Sequence, residues 1–319
     1  MTTLRLLFHG VVLSLMLSGA LGCLPKDNRP PPGNLLITAT SDGSVQQGFD
    51  TDDGWHVQFM KFIVSPGHSS FHNGGTCTSY SNASYEHVLN LLPAGSQKVN
   101  LIYALGRCNF GFRMTFPRTD ALVGVGVSAQ DLLAMQTAGT DRFQTTISGA
   151  NGYISGIASN QSQTKTFTWL FRQSWSFQNC SVRTDIGLQT SVQLGAYEAE
   201  TTDIMLQGEA LFQNQNASNQ LQLLFEPMAQ ADSKFGNNDG DVTLDELSSV
   251  PVSANIGNGT LTTFSGVDAG LGDLALDAGV SIPTDLEALV YQVLYPSMFR
   301  YGDSGQCQVT PAGNGRGQD

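Results

Sequence analysis

The chain has 319 residues, enough for one large or two small domains with a real core, and its 27 acidic against 15 basic residues give a net charge of −12. That balance argues against nucleic acid and against a polybasic grip on anionic lipid, and it suits a surface that binds cations. Only 13% of residues are charged while Gly numbers 35, so an exported β protein is expected rather than a cytosolic helical one.

The N-terminus reads as a targeting segment. Arg5 supplies a short positive region, Leu6 to Leu21 an apolar run, and Ala20, Leu21, Gly22 and Cys23 resemble a lipobox. Residues 1–22 are therefore expected to be a lipoprotein signal peptide, with Cys23 carrying the lipid. An ordinary cleaved signal is the alternative, and the run is short for a retained span. Among lipoproteins of this pattern, Asp after the lipidated Cys favours the inner membrane; here that residue is Leu24, so a lipid anchor in the outer membrane is expected. Three consecutive prolines in Leu24–Asn34 exclude helix and central strand, which makes residues 23–34 an extended tether.

The body is expected over 35–306. Leu35, Ile37 and Ala39 alternate with polar neighbours as a first strand. In Asp53–Val64 the apolar phase passes from Trp55, Val57 and Phe59 to Met60, Phe62 and Val64, as a β-bulge produces. Ser65–Ser81 reads as a Gly, Ser and Asn-rich loop. Its His68 and His72 are a candidate copper or zinc pair, against solvated loop histidines. An apolar segment through Leu92, a Pro93, Ala94, Gly95 turn and alternation at Val99, Leu101, Tyr103 and Leu105 predict a strand pair. Ser128 caps a short helix with Asp131 at the capping-box place. Further strands fall at Phe143–Ile147 and at Lys165, Phe167, Trp169 and Phe171, whose threonine neighbours face away. Val192–Leu194 and Ile204–Leu206 are expected to pair antiparallel, Pro283–Leu294 to form a short helix, and 307–319 to be a flexible tail. One or two strands are expected between Asn255 and Ile282.

Asp232–Leu247, DSKFGNNDGDVTLDEL, is the stretch with chemistry at a recognisable spacing. Asn237, Asp239, Gly240, Val242, Thr243 and Glu246 match the third, fifth, sixth, eighth, ninth and twelfth places of an EF-hand loop. The first place holds Phe235, so Asp232 supplies the acid only if the loop carries three extra residues. The expected calcium ligands are Asp232, Asn237, Asp239, the carbonyl of Asp241, Thr243 and Glu246. Pro227 limits the entering helix to one or two turns. The alternative is an Asx-rich turn before a capped helix, since Thr243 to Glu246 is also a capping box, but capping does not account for the Asn, Asp and Gly spacing before it.

Setting Cys23 aside leaves Cys77, Cys108, Cys180 and Cys307, an even number in an exported chain. Of three pairings, Cys77 with Cys108 closes a local loop and Cys180 with Cys307 ties the C-terminal tail to the body. Catalysis finds no support: Gly302–Gly305 resembles the nucleophile segment of trypsin-like proteases without its partners, so a non-enzyme is expected.

Taken together, DGWHVQF, the leucine segment with its Pro, Ala, Gly turn, FTW, LF and ADSKFGNNDGDVTLDEL resemble a group of uncharacterised bacterial surface lipoproteins with an EF-hand-like calcium loop. The resemblance implies histidines beside Leu211 and Phe212, where this chain reads LQGEALF. The expected whole is mainly β, an immunoglobulin-like antiparallel sandwich with short helices and a variant EF-hand-like segment at about 221–250. Its expected role is that of a lipid-anchored calcium-binding protein with a protein or matrix partner; a transition-metal handler is the alternative.

Overall fold

Strict alternation over Gly33–Ser41 buries Leu35, Ile37 and Ala39 and leaves their neighbours half-exposed, which is how a strand with one core face must be written. In this computed structural model the described residues are 29–73, 76–142, 144–184, 187–189, 191–212, 225–251, 283–302 and 305–312. The signal peptide, Cys23, the first part of the tether (24–28), residues 221–224 at the start of the expected EF-hand-like segment, Phe143, the strands expected within 255–282, Asp303, Ser304 and residues 313–319 lie outside them. The described residues from Pro32 onward form one compact unit.

The protein is mainly β, with sheets packed as a sandwich or near-barrel and a few short helices. The larger sheet runs, edge to edge, through Gly187–Gln189, Trp175–Thr184, Gln97–Met114, Gly33–Ser41, Ala199–Leu206 and Phe299–Tyr301. The smaller runs through Asp241–Val242, Thr164–Phe171, Gly152–Ser159, His56–Val64, His87–Asn90 and Leu122–Val123. Pairing is mixed: Gly33–Ser41 lies parallel to Ala199–Leu206, and Thr164–Phe171 parallel to Asp241–Val242. One apolar cluster joins the sheets, drawing Ile37, Phe110 and Ile204 from the larger and Phe59, Phe167 and Trp169 from the smaller.

The bulge in His56–Val64 is where the change of phase puts it. Gly156 pairs with Phe59 and Ser155 with Lys61, so Met60 is the extra residue and stands 59% exposed while Phe62 and Val64 return to the core. Thr164–Phe171 buries Phe167, Trp169 and Phe171 beneath an exposed threonine face. Ser128 caps Ala129–Gln136 with Asp131 completing the capping box. Both disulfides, Cys77–Cys108 and Cys180–Cys307, are formed.

Several expectations are corrected. Ser65–Ser81 is not a loop: Pro66–Asn73 and Thr78–Ser81 both pair with Gln97–Met114. Only Phe71 among these residues faces the core as a large apolar side chain, so no alternation marked them. The segments around the Pro93, Ala94, Gly95 turn are not partners, because His87–Asn90 joins the smaller sheet and Gln97–Met114 the larger. A second bulge, between the pairs Ile37–Asn100 and Thr38–Lys98, reverses the phase after Val99. Ile102, Ala104, Cys108, Phe110 and Phe112 therefore face inward, not Leu101, Tyr103 and Leu105. Val192–Leu194 pairs with Gln97–Met114 rather than with Ile204–Leu206. The C-terminal segment is structured through Pro311, since Gln306–Pro311 pairs with Trp175–Ser181 beside the Cys180–Cys307 bridge.

Candidate functional site

The entering helix, Phe225–Gln230, is held by its buried face and by one polar anchor. Phe225, Met228 and Ala229 are in the core, Trp55 Nε1 donates to Glu226 Oε2 at 3.1 Å, and the Glu226 N–H donates to Asp53 Oδ2 at 2.8 Å. The helix then widens into a π-turn over Ala231–Phe235. Such a turn absorbs extra residues without ending the helix, and it explains how Asp232 reaches the loop despite the added spacing. The carbonyl of Asp232 accepts the Asn238 N–H at 3.1 Å, and its Oδ2 accepts the Gly240 N–H at 3.2 Å. Phe235, which stands where strict spacing wants an acid, is 48% exposed to solvent.

Two of the Asx side chains that follow, Asn237 and Asp239, each accept a backbone donor two residues on. Asn237 Oδ1 accepts the Asp239 N–H and Asp239 Oδ1 the Asp241 N–H, both at 2.9 Å. The Asp241 N–H, followed by the Asn237 amide, holds the Asp239 carboxyl below its ordinary range. Gly240 has φ +92°, the left-handed region that glycine enters without cost. Val242 is then drawn inward: it is fully buried, pairs with Phe167, and accepts the Trp169 Nε1–H at its carbonyl at 2.8 Å. The carboxylate of Asp241 turns aside to take the Thr166 hydroxyl at 2.8 Å.

Glu246 closes the turn. Its Oε2 accepts the Thr243 N–H and hydroxyl, each at 3.0 Å, as the capping box of Leu244–Ser248, and its Oε1 accepts the Asn237 N–H at 3.1 Å. One carboxylate thus ties the start of the loop to its end. Gly236 lies against it, and a Cβ there would run into Glu246 Oε1.

The six expected ligand residues lie along one turn, in which Asp232 is tied to Gly240 and Glu246 to Asn237 and Thr243, and their oxygen donors, without sulfur or imidazole, suit calcium better than a transition metal. Asp232 gives a further test of fit. It is fully buried, and its Oδ1 accepts no hydrogen bond, although buried carboxylate oxygens are normally satisfied. Its Oδ2 is committed to the ammonium of Lys165. Among the described residues no group of three or more His, Cys, Asp or Glu stands at metal-holding separation. An ion here would therefore draw on the Asn237 amide, the Thr243 hydroxyl and the Asp241 carbonyl as well as on carboxylates.

Lys165 and Gly236 escape the motif. Lys165 was nevertheless legible, because it occupies the inward phase of a strand whose other inward residues are Phe167, Trp169 and Phe171, and a lysine so placed needs a buried acid.

His68 and His72 line one groove of about 310 Å³, together with Arg113, Ser176 and Gln178. Each imidazole is otherwise engaged. His68 Nε2 lies 3.2 Å from Glu86 Oε1, and Glu86 also holds Arg118 Nε at 2.8 Å; His72 Nε2 lies 3.0 Å from Ser70 Oγ. Burial, then the Arg113 charge, hold His72 below its ordinary range. No helix among the described residues is long and apolar enough to cross a membrane. No protein family, curated protein or solved structure matches this chain, and the fold by itself defines a mainly β sandwich or near-barrel with a few short helices.

Proposed function

We propose that the chain is an exported surface protein, anchored in the outer membrane through a lipid on Cys23, whose 232–246 loop takes one calcium ion of structural rather than switch-like role. The observation that carries the calcium reading is Asp232, which spans the enlarged approach to accept the Gly240 N–H while its Oδ1 stays buried without a partner. Asn237, Asp239, the Asp241 carbonyl, Thr243 and Glu246 complete the ligand set. The bound ion would stiffen the junction between Phe225–Phe235, Leu244–Ser248 and the strand Thr164–Phe171, a scaffold for recognising a protein or matrix partner. Loops of this kind outside the cell bind with dissociation constants of about 0.1–1 mM.

Terbium stands in for calcium, and Trp169, bonded to the Val242 carbonyl, is a near antenna for its emission. Sensitised emission that calcium displaces and that Glu246→Gln removes supports the reading; emission identical in the two proteins overturns it. Selective copper or zinc binding lost with His68→Ala would move the metal chemistry to the histidine groove. Mass spectrometry of membrane fractions, comparing the chain with Cys23→Ser, tests the lipid.

A further inference from the structure

Resting on the calcium reading, we infer that Lys165 is the loop's built-in cation: its ammonium holds Asp232 when calcium is scarce and competes with calcium for that carboxylate. Lys165 is 5% exposed and Asp232 fully buried, so the pair is a desolvated one in which neither charge has water to fall back on. It is built by two elements distant in sequence, the inward phase of Thr164–Phe171 and the π-turn of Ala231–Phe235. The strand is also stitched to the loop that follows the π-turn, by the Thr166 N–H to the Gly240 carbonyl at 2.8 Å.

With Lys165 in place Asp232 Oδ2 is saturated, taking the ammonium and the Gly240 N–H, and only Oδ1 remains to coordinate. A divalent ion on Oδ1 would then stand a few ångströms from an ammonium with little water between them, and that repulsion weakens binding. The loop consequently keeps its hydrogen-bonded shape without calcium, and it fills only where calcium is abundant. Removing the ammonium reverses both properties: the buried carboxylate loses its counter-charge, and the ion loses its competitor.

The test is calcium calorimetry and thermal melting on the mature chain, on Lys165→Met, on Glu246→Gln as ligand control, and on the double variant Lys165→Met with Asp232→Asn. Expected for Lys165→Met are a calcium dissociation constant lower by about tenfold or more and a lower melting temperature without calcium. The double variant recovers that temperature, because a neutral buried pair replaces a lone buried carboxylate. If Lys165→Met is unfolded without calcium, its refolding by calcium at concentrations that leave the wild-type melting temperature unmoved supports the inference. Calcium binding to Lys165→Met but not to the wild type also supports it. An unchanged or weaker affinity in a folded Lys165→Met, with Glu246→Gln still abolishing binding, overturns this inference alone and leaves the calcium reading standing. Absence of binding in both the wild type and Lys165→Met overturns both.

Discussion

Glu246→Gln separates the capping role of one carboxylate from the calcium ligation proposed for it. Without calcium it accepts three donors, the Asn237 N–H at 3.1 Å and the Thr243 N–H and hydroxyl at 3.0 Å. Gln offers one carbonyl oxygen in place of two and keeps one end of the loop tied, so the calcium-free variant should lose only about 1 kcal/mol. With calcium the difference is larger. For a dissociation constant of about 0.1–1 mM, 10 mM calcium should stabilise the wild type by about 1.4–2.7 kcal/mol, which for a chain of this size raises its melting temperature by about 2–4 °C. The variant should show no such rise, since it lacks the bidentate charge at the twelfth place. Calorimetric melts of both proteins in chelator, in 10 mM calcium and in 10 mM magnesium measure these quantities. A wild-type melting temperature indifferent to calcium, with the variant displaced by its capping loss alone, would mean that the loop is closed by hydrogen bonds and nothing more.

The two disulfides should differ in weight, because the loops they close differ. Replacing the Cys180–Cys307 pair, separated by 127 residues, should cost about 5 kcal/mol, and replacing Cys77–Cys108, separated by 31, about 4 kcal/mol, both read from guanidinium titrations. Phe212 touches the rings of Phe49, Phe59, Phe167, Trp169 and Phe225 at centroid distances of 5.4–6.0 Å, so Phe212→Ala should lose about 3–5 kcal/mol in the same assay. Burial pushes the Glu287 carboxyl up to about 7, with Arg142 pulling it down and Asp285, Asp245 and Asp141 pushing it further up. The folded state therefore holds a proton that the unfolded chain releases above its ordinary value near 4.5, so the associated stability is complete below that value and is lost as the pH rises through about 7. Glu287→Gln should flatten that decline, gaining on the order of 1–3 kcal/mol relative to wild type at pH 8; a parallel decline in both proteins would assign it to other groups.

What could be read directly from the chain was whatever a local pattern writes in full. The alternation of Thr164–Phe171, the slipped phase at Met60, the capping boxes at Ser128 and Thr243 and the Asx, Gly and Glu spacing around Gly240 each depend on residues within about a dozen positions of one another. Pro66–Asn73 shows the limit. Its strand is made by pairing to the residues after Val99, and with Phe71 as its one large core side chain it carries no pattern of its own. Gln306–Pro311 fails in the same way: it is polar and glycine-flanked, yet it is ordered by Trp175–Ser181 and the bridge to Cys180.

The sequence by itself determined that this is a β chain with paired cysteines and an oxygen-rich turn, because side-chain periodicity and Asx chemistry act over short distances. Only the tertiary structure decided the mixed pairing of the sheets, the inward face of Gln97–Met114 beyond its bulge, and the meeting of Lys165 with Asp232. Strand partners and buried charge pairs are selected by what lies opposite in space, and a residue's neighbours along the chain carry no record of that choice.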